Sequence, residues 1–214
     1  MVPELPDVSF ARTRHIEPPL RRRLVPHWAD FAAGDVRNGV TTKRRTLVDC
    51  MRMLPWDESV PIADSAIRSG DVDQAGLRRI ATEMLGCGRA RAIGVASLAD
   101  GRTANAYESV LRALAATVPG LVAHPQAPVR TNEGRKLRPD LVDPVNRIVI
   151  EAESFAWHGD QSALTRDCVR YNDLVLAGWT VLRFSWKQVM FQPAYVLKVL
   201  TDAVRSAQRH ADVA

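Results

Sequence analysis

Cysteine is scarce: Cys50, Cys87 and Cys168 lie far apart and form neither a CxxC pair nor an even disulfide framework. That excludes a cysteine-ligated zinc module and a disulfide-stapled scaffold, and leaves reduced thiols acting as small buried hydrophobes in an intracellular protein. No run approaches the roughly 20 apolar residues of a membrane span. Residues 1–7 place prolines and acids where a signal peptide carries its apolar core. The expectation is a cytoplasmic protein with no membrane partner. Internal repeats and low-complexity tracts are also missing, which excludes a solenoid.

Lysine contributes little to the net charge of +5; the surplus comes from arginine, clustered at Arg21-Arg22-Arg23, Lys43-Arg44-Arg45, Arg89/Arg91 and Arg135-Lys136-Leu137-Arg138. Arginine's planar fork suits phosphate oxygens, and such contacts dominate nucleic-acid affinity. What the chain has in quantity is apolar residues: 46% of 214, enough for one sizeable domain and a smaller one.

Residues 1–41 carry Pro3, Pro6, Pro18, Pro19 and Pro26 and no sustained period, so an irregular arm with short elements is expected. Residues 42–98 read as a helical subdomain. Helical spacing runs from Thr46 to Leu54 before Pro55, from Ser59 to Arg68 before Ser69-Gly70, and from Gln74 to Leu85 before Gly86. Residues 104–210 change character. A helix from Ala104 to Val118 precedes extended pieces at Ala127 to Arg130, Leu137 to Val142 and Arg147 to Glu153. A helix from Gln161 to Ala177 with Leu164, Cys168, Tyr171 and Val175 inward, a strand from Trp179 to Ser185 and a closing helix from Gln192 to Gln208 follow. This order implies an α/β layer architecture.

Arg138-Pro139-Asp140 and Ile150-Glu151-Ala152-Glu153 read as two arms of a hairpin turning at Pro144-Val145, with Val142 opposite Arg147 and Asp140 opposite Val149. Side chains alternate along a strand, so Asp140, Glu151 and Glu153 share a face while Ile148, Ile150 and Ala152 pack on the other. Glu151 and Glu153 then stand roughly 6.6 Å apart. Like charges gathered this way raise one another's pKa and lose hydration, which a bound cation relieves. Hard carboxylate oxygens favour magnesium or manganese over zinc. A solvated sheet face bearing scattered acids is the competing reading. Glu108 is equally readable as a solvated helix residue, His158 as a strand terminator, and Arg166 and Arg170 as ion-paired support for their own helix beside Asp167 and Asp173. Trp157, Trp179 and Trp186 read as core anchors before base-stacking platforms.

Together, Arg138-Pro139-Asp140, Ile148 to Glu153, Trp157-His158, Arg166 to Arg170 and Gly178 to Phe184 form an ordered series that resembles the PD-(D/E)XK nuclease superfamily. Within it, the series is similar to the branch of very-short-patch-repair endonucleases; the resemblance covers about residues 104 to 190. It implies a restriction-endonuclease-like fold, a mixed central sheet flanked by helices, and a magnesium- or manganese-dependent endonuclease acting on DNA. By this likeness Asp140 and Glu151 match the metal-binding acids and Glu108 the acid some members supply from their first helix. Glu153 stands where the superfamily's lysine usually falls, so His158 is the expected proton carrier, with Lys136 a weaker stand-in for the missing cation. Arg166, Arg170 and Arg183 are expected on flanking phosphates. RNA is an alternative substrate, and a homodimer would decide between nicking and double-strand breaks.

Val40 to Asp49 and the helix Ala63 to Arg68 resemble the region preceding this domain in actinobacterial proteins that carry a winged-helix module like that of abortive-infection antitoxins. By that likeness the chain starts after such a module. The rival expectation is therefore a non-catalytic, antitoxin-like nucleic-acid-binding protein that keeps the fold without turnover.

Overall fold

Strands Asp7–Ala11 (β1) and Val25–Ala29 (β2) pair in parallel, so the chain between them must cross back. That crossover holds the single turn Pro18–Arg21 (α1), opened by two prolines whose missing N–H groups would have had no helical partner. Strands Val36–Arg37 (β3) and Val40–Thr41 (β4) then close a hairpin over Asn38-Gly39, both at positive φ (50° and 77°), the pair that a two-residue turn favours. A computed structural model describes residues 5–153 and 161–211. The chain divides into two compact units, Met1–Thr46 and Leu47–Ala214.

Helix Lys43–Met53 (α2) passes from the first unit into the second. It is followed by Trp56–Arg68 (α3), Gln74–Glu83 (α4) and Arg89–Leu98 (α5). The start of α4 is set by Asp73, whose carboxylate accepts the Gly76 N–H at 2.6 Å. Helix α5 has no counterpart among the sequence expectations, because its small alanines and glycine give no amphipathic stripe. Leu47, Met51, Val60, Leu77 and Val95 fill the core of these helices.

Asn105 caps the next helix, Ala106–Ala115 (α6), by accepting the Glu108 N–H at 3.0 Å. Helix α6 has two packing faces. Ala113 joins the helical core, and Leu111 and Leu114 join the core under the sheet. Arg112 reaches back to Asp64 on α3 with Nη2 2.6 Å from both carboxylate oxygens, and both residues are essentially inaccessible to water.

Short strands His124–Pro125 (β5), Val129–Arg130 (β6), Lys136–Leu137 (β7) and Leu141–Asp143 (β8) lead into Ile148–Glu153 (β9). Then come Gln161–Leu176 (α7), Thr180–Ser185 (β10), Trp186–Phe191 (α8) and Pro193–Ala211 (α9). The main sheet runs β10-β9-β8-β5, with β10 parallel to β9 and the other pairs antiparallel. It is a mixed sheet between helices. Leu141, Ile148, Ile150 and Phe184 pack against α6, α8 and α9, while Val142 and Val149 pack against Leu174 of α7.

Four sequence expectations need correction here. The expected strand Leu137 to Val142 is two strands, because Pro139 has no N–H to continue a ladder; β7 pairs instead with β6 in a separate ribbon. The hairpin register also differs, since Val142 faces Val149 rather than Arg147. Asp143 accepts the N–H groups of Val145 and Asn146 at 2.9 and 3.0 Å, and Arg147 takes φ 52° with its guanidinium bonded to the Ala177 and Gly178 carbonyls. The loop thus takes four residues and the register moves by two, which preserves which side chains share a face. On α7 the inward stripe is not Leu164, Cys168 and Val175, all exposed; Leu174 and the half-buried Tyr171 face the sheet. Cys87 is exposed as well, so neither it nor Cys168 is a buried hydrophobe. Helix α8 was not anticipated, although Ser185 and Gln188 make a full capping box at its start.

Candidate active site

Asp140 follows Pro139 at the entry to β8 and is stitched to β9 in both directions. Its Oδ2 accepts the Ala152 N–H at 2.8 Å, and its own N–H donates to Glu151 Oε2 at 3.2 Å. The Asp140 carbonyl accepts the Gln126 N–H at 2.9 Å. These bonds cross the sheet between strand end and strand, so the position of Asp140 is set by backbone rather than by loop freedom.

Glu151 is 3% exposed. Burial pushes its pKa up to about 7; Arg170 opposes that shift, while the nearby Asp140 adds to it. Arg170 Nη2 stands 2.6 Å from Glu151 Oε1, yet no donor lies along a hydrogen-bonding direction to that oxygen. The ion pair therefore supplies charge without filling the lone pairs. Arg170 also donates to the Arg138 carbonyl at 3.1 Å.

Glu108 is a buried acid, not a solvated one, at 6% exposure. Its Oε2 accepts the Ala104 N–H at 2.8 Å and its Oε1 the Asn105 side-chain amide at 2.8 Å. Part of its work is therefore capping α6. Burial raises its pKa, and the charge of Asp140 raises it further. Gln126 joins the two acids, its Nε2 lying 3.3 Å from Glu108 Oε2 and 3.4 Å from Asp140 Oδ1. Sequence reasoning passed over Gln126. Its positive φ of 53° is unusual for a residue with a Cβ, but that is legible only in the folded chain.

Glu153 belongs to a second group. Its Oε1 accepts from Tyr171 Oη at 2.5 Å and from Arg183 Nε at 2.7 Å, and the Arg183 guanidinium lies 3.9 Å above the Tyr171 ring. Burial would raise the Glu153 pKa, but the Arg183 and Tyr171 hydrogen bonds outweigh it and leave the carboxyl below its ordinary value. Arg183 is thus committed to Glu153, and Arg170 to Glu151, rather than to each other's helix neighbours; Asp173 pairs with Arg135 instead. Arg166 and Lys136 are exposed, on α7 and β7. His158 and Trp157 lie outside the described residues. Trp179 is half-buried under the Arg147 guanidinium, and Trp186 is 46% exposed against Phe191.

The structure thus brings Glu108, Asp140 and Glu151 into one electrostatic group, with Gln126 and Arg170 supplying the positive ends that their carboxylates require. Among the described residues no three acids, imidazoles or thiols converge as a metal cage. The donor chemistry nonetheless suits a hard divalent cation. The oxygens are carboxylate, the group is buried, and Glu151 Oε1 lacks an aligned donor.

The chain is 28% identical over 149 residues to the uncharacterized proteins Rv2248 and MT2308 of two Mycobacterium tuberculosis strains, H37Rv and CDC 1551. The match takes in 69% of this chain and 55% of each relative, so the chain spans about half the length of the curated relatives it matches. No family model matches the sequence. No solved structure matches it either.

Proposed function

We propose that this chain is a metal-dependent phosphodiesterase that cuts DNA, on a fold of the restriction-endonuclease type. The observation that carries this reading is the hydrogen-bonded meeting of the half-buried Asp140, at the entry to β8, with the buried Glu151 on β9, and Glu108 reached through Gln126. Two linked acids with a third one amide away, two of the three buried, are expensive unless a cation is part of the design. Asp140, Glu151 and Glu108 would hold magnesium or manganese, which supplies charge for the scissile phosphate and an acidified water. Asp140 and Glu151 present their oxygens from rigid strands, and Arg170 stands next to them as the group able to pass from carboxylate to phosphate. His158 keeps its expected part as proton carrier, Arg166 and Lys136 are assigned to flanking phosphates, and Arg183 would reach one only by leaving Glu153. Cys50, Cys87 and Cys168 form no disulfide, in keeping with a reducing, cytoplasmic setting. DNA is the primary substrate, RNA an alternative, and a homodimer the arrangement that would give double-strand breaks.

One observation favours a second reading, a nucleic-acid-binding protein without turnover. Arg170 and Arg183 already neutralise Glu151 and Glu153, and among the described residues no lysine pairs with Glu108, Asp140, Glu151 or Glu153. The deciding experiment is cleavage of supercoiled plasmid and of mismatched and branched duplexes with Mg²⁺, Mn²⁺ or EDTA, comparing wild type with Asp140→Ala. Metal-dependent nicking lost in the variant establishes the nuclease. Intact substrate in every lane, with salt-sensitive DNA binding by both proteins, establishes the binding protein.

A further inference from the structure

The chain's positive charge is concentrated in the smaller unit. Residues 1–46 carry nine Lys and Arg against five Asp and Glu, four of the whole chain's surplus of five. Three of the five acids in that unit are already paired. Asp7 meets His27 at 2.7 Å, Asp30 meets Arg12 at 2.9 Å and Asp35 meets Arg45 at 3.0 Å. Arg14, Arg22 and Arg23 are exposed and have no acidic partner among the described residues. Such uncompensated guanidinium groups repel one another unless an anion is brought to them.

Trp28 contacts two residues of this segment. Its indole N–H donates to the Arg14 carbonyl at 3.2 Å, and the Arg21 guanidinium lies 5.6 Å from its ring centroid. Trp28 is itself 38% exposed. Arg22 and Arg23 follow directly where α1 ends, so the crossover between β1 and β2 carries three consecutive exposed arginines, the first of them stacked on Trp28. Cation stacking on an indole orients Arg21 while leaving its N–H donors free for oxygens.

We infer that Arg14, Arg21, Arg22 and Arg23, exposed on the crossover between β1 and β2 that packs on Trp28 through Arg14 and Arg21, form a surface that binds the sugar-phosphate backbone of duplex DNA. This surface belongs to a different unit from the carboxylates, and it rests on the proposed function only in taking DNA as the polymer. Arginine rather than lysine, with an aromatic beside it, favours nucleic acid over a lipid headgroup layer, which selects for charge without regard to planar donors. Backbone contacts of this kind carry affinity and salt dependence but no sequence preference.

The test uses the full chain in EDTA, so that binding is read without cleavage. Anisotropy of a labelled duplex is titrated at several salt concentrations for wild type, the triple variant R21A/R22A/R23A and its charge-conserving counterpart R21K/R22K/R23K, with melting temperatures recorded for each. The alanine triple is expected to bind at least about tenfold more weakly and to flatten the slope of log affinity against log salt by roughly 2–3, since each phosphate contact contributes about 0.9. The lysine triple is expected to keep most of the slope. Unchanged affinity and slope in the alanine triple overturn the inference, whether or not the protein cleaves DNA. So does wild-type protein that sediments with phosphatidylserine vesicles and leaves the duplex unbound. Wild-type protein that leaves plasmid intact in a separate assay with Mg²⁺ or Mn²⁺, while the alanine triple loses binding in EDTA, sinks the nuclease reading alone.

Discussion

Arg170 and Glu151 form an ion pair at 2.6 Å in which the acid is buried and the base is only partly so. The guanidinium stands where a divalent cation would have to share the carboxylate, and its second bond, to the Arg138 carbonyl, ties α7 to the loop that delivers Asp140. The pair therefore couples the helix to the acids as well as neutralising one of them.

Arg170→Ala leaves a buried carboxyl without its counter-charge. We expect a loss of about 1–3 kcal/mol in urea denaturation at neutral pH, the usual cost of stranding a buried polar partner, and a smaller loss at pH 4.5 where the carboxyl is protonated. Equal losses at both pH values would show that Arg170 acts through packing alone.

Glu151 also predicts a pH dependence. Its folded pKa, about 7, lies above the ordinary value of 4.5, so the folded state binds the proton more tightly than the unfolded state. The stability this contributes is fully present below about 4.5 and is lost as pH rises through about 7. Glu153, held below its ordinary value, works in the opposite direction: its contribution is present above 4.5 and is lost as pH falls through its folded pKa. Measured against Glu151→Gln, wild type should therefore lose stability between pH 5 and pH 8; a constant difference would contradict the assignment.

Metal addition should reverse the same effect. Mn²⁺ or Mg²⁺ well above its dissociation constant is expected to raise the melting temperature of wild type, by about 2.7 kcal/mol of stability at a hundredfold excess, and to leave Asp140→Ala unchanged. Calorimetry should also show protons released on binding near pH 7, because Glu151 must ionise to coordinate. A melting temperature indifferent to both metals would favour the binding-protein reading.

Arg112→Met should be the most damaging single change away from the site. Asp64 is fully buried, with its carboxylate held by Arg112, the Asp100 N–H and the Thr103 hydroxyl. Removing its cation strands the charge at an expected cost of roughly 3–5 kcal/mol, measurable by thermal or urea unfolding. Asp64→Leu/Arg112→Met together should recover much of that loss.

Local rules made several elements legible from the chain alone. The helix expected from Ala104 to Val118 is present as α6, starting two residues later behind the Asn105 cap, and Gly178 at φ 78° ends α7 where no Cβ has to be accommodated. Strand alternation assigned Val149 to one face of β9 and Ile148 and Ile150 to the other, and a register error of two residues left that division intact. Asn38-Gly39 closes a tight hairpin inside the segment expected as an irregular arm.

Partnerships across the sheet were beyond such rules. The stripe Leu164, Cys168, Tyr171, Val175 is a genuine helical period, yet a rotation of one residue position buries Leu174 and aims Arg170 at Glu151. Which of two adjacent stripes faces inward depends on what the sheet presents, here Val142 and Val149 with carboxylates beside them. Gln126 shows the same limit: it reaches both Glu108 and Asp140 because β5 pairs with β8 across an intervening ribbon, a relation between distant segments. Sequence periodicity records which residues can be buried together, whereas the choice among nearly equivalent partners is made only when the elements pack.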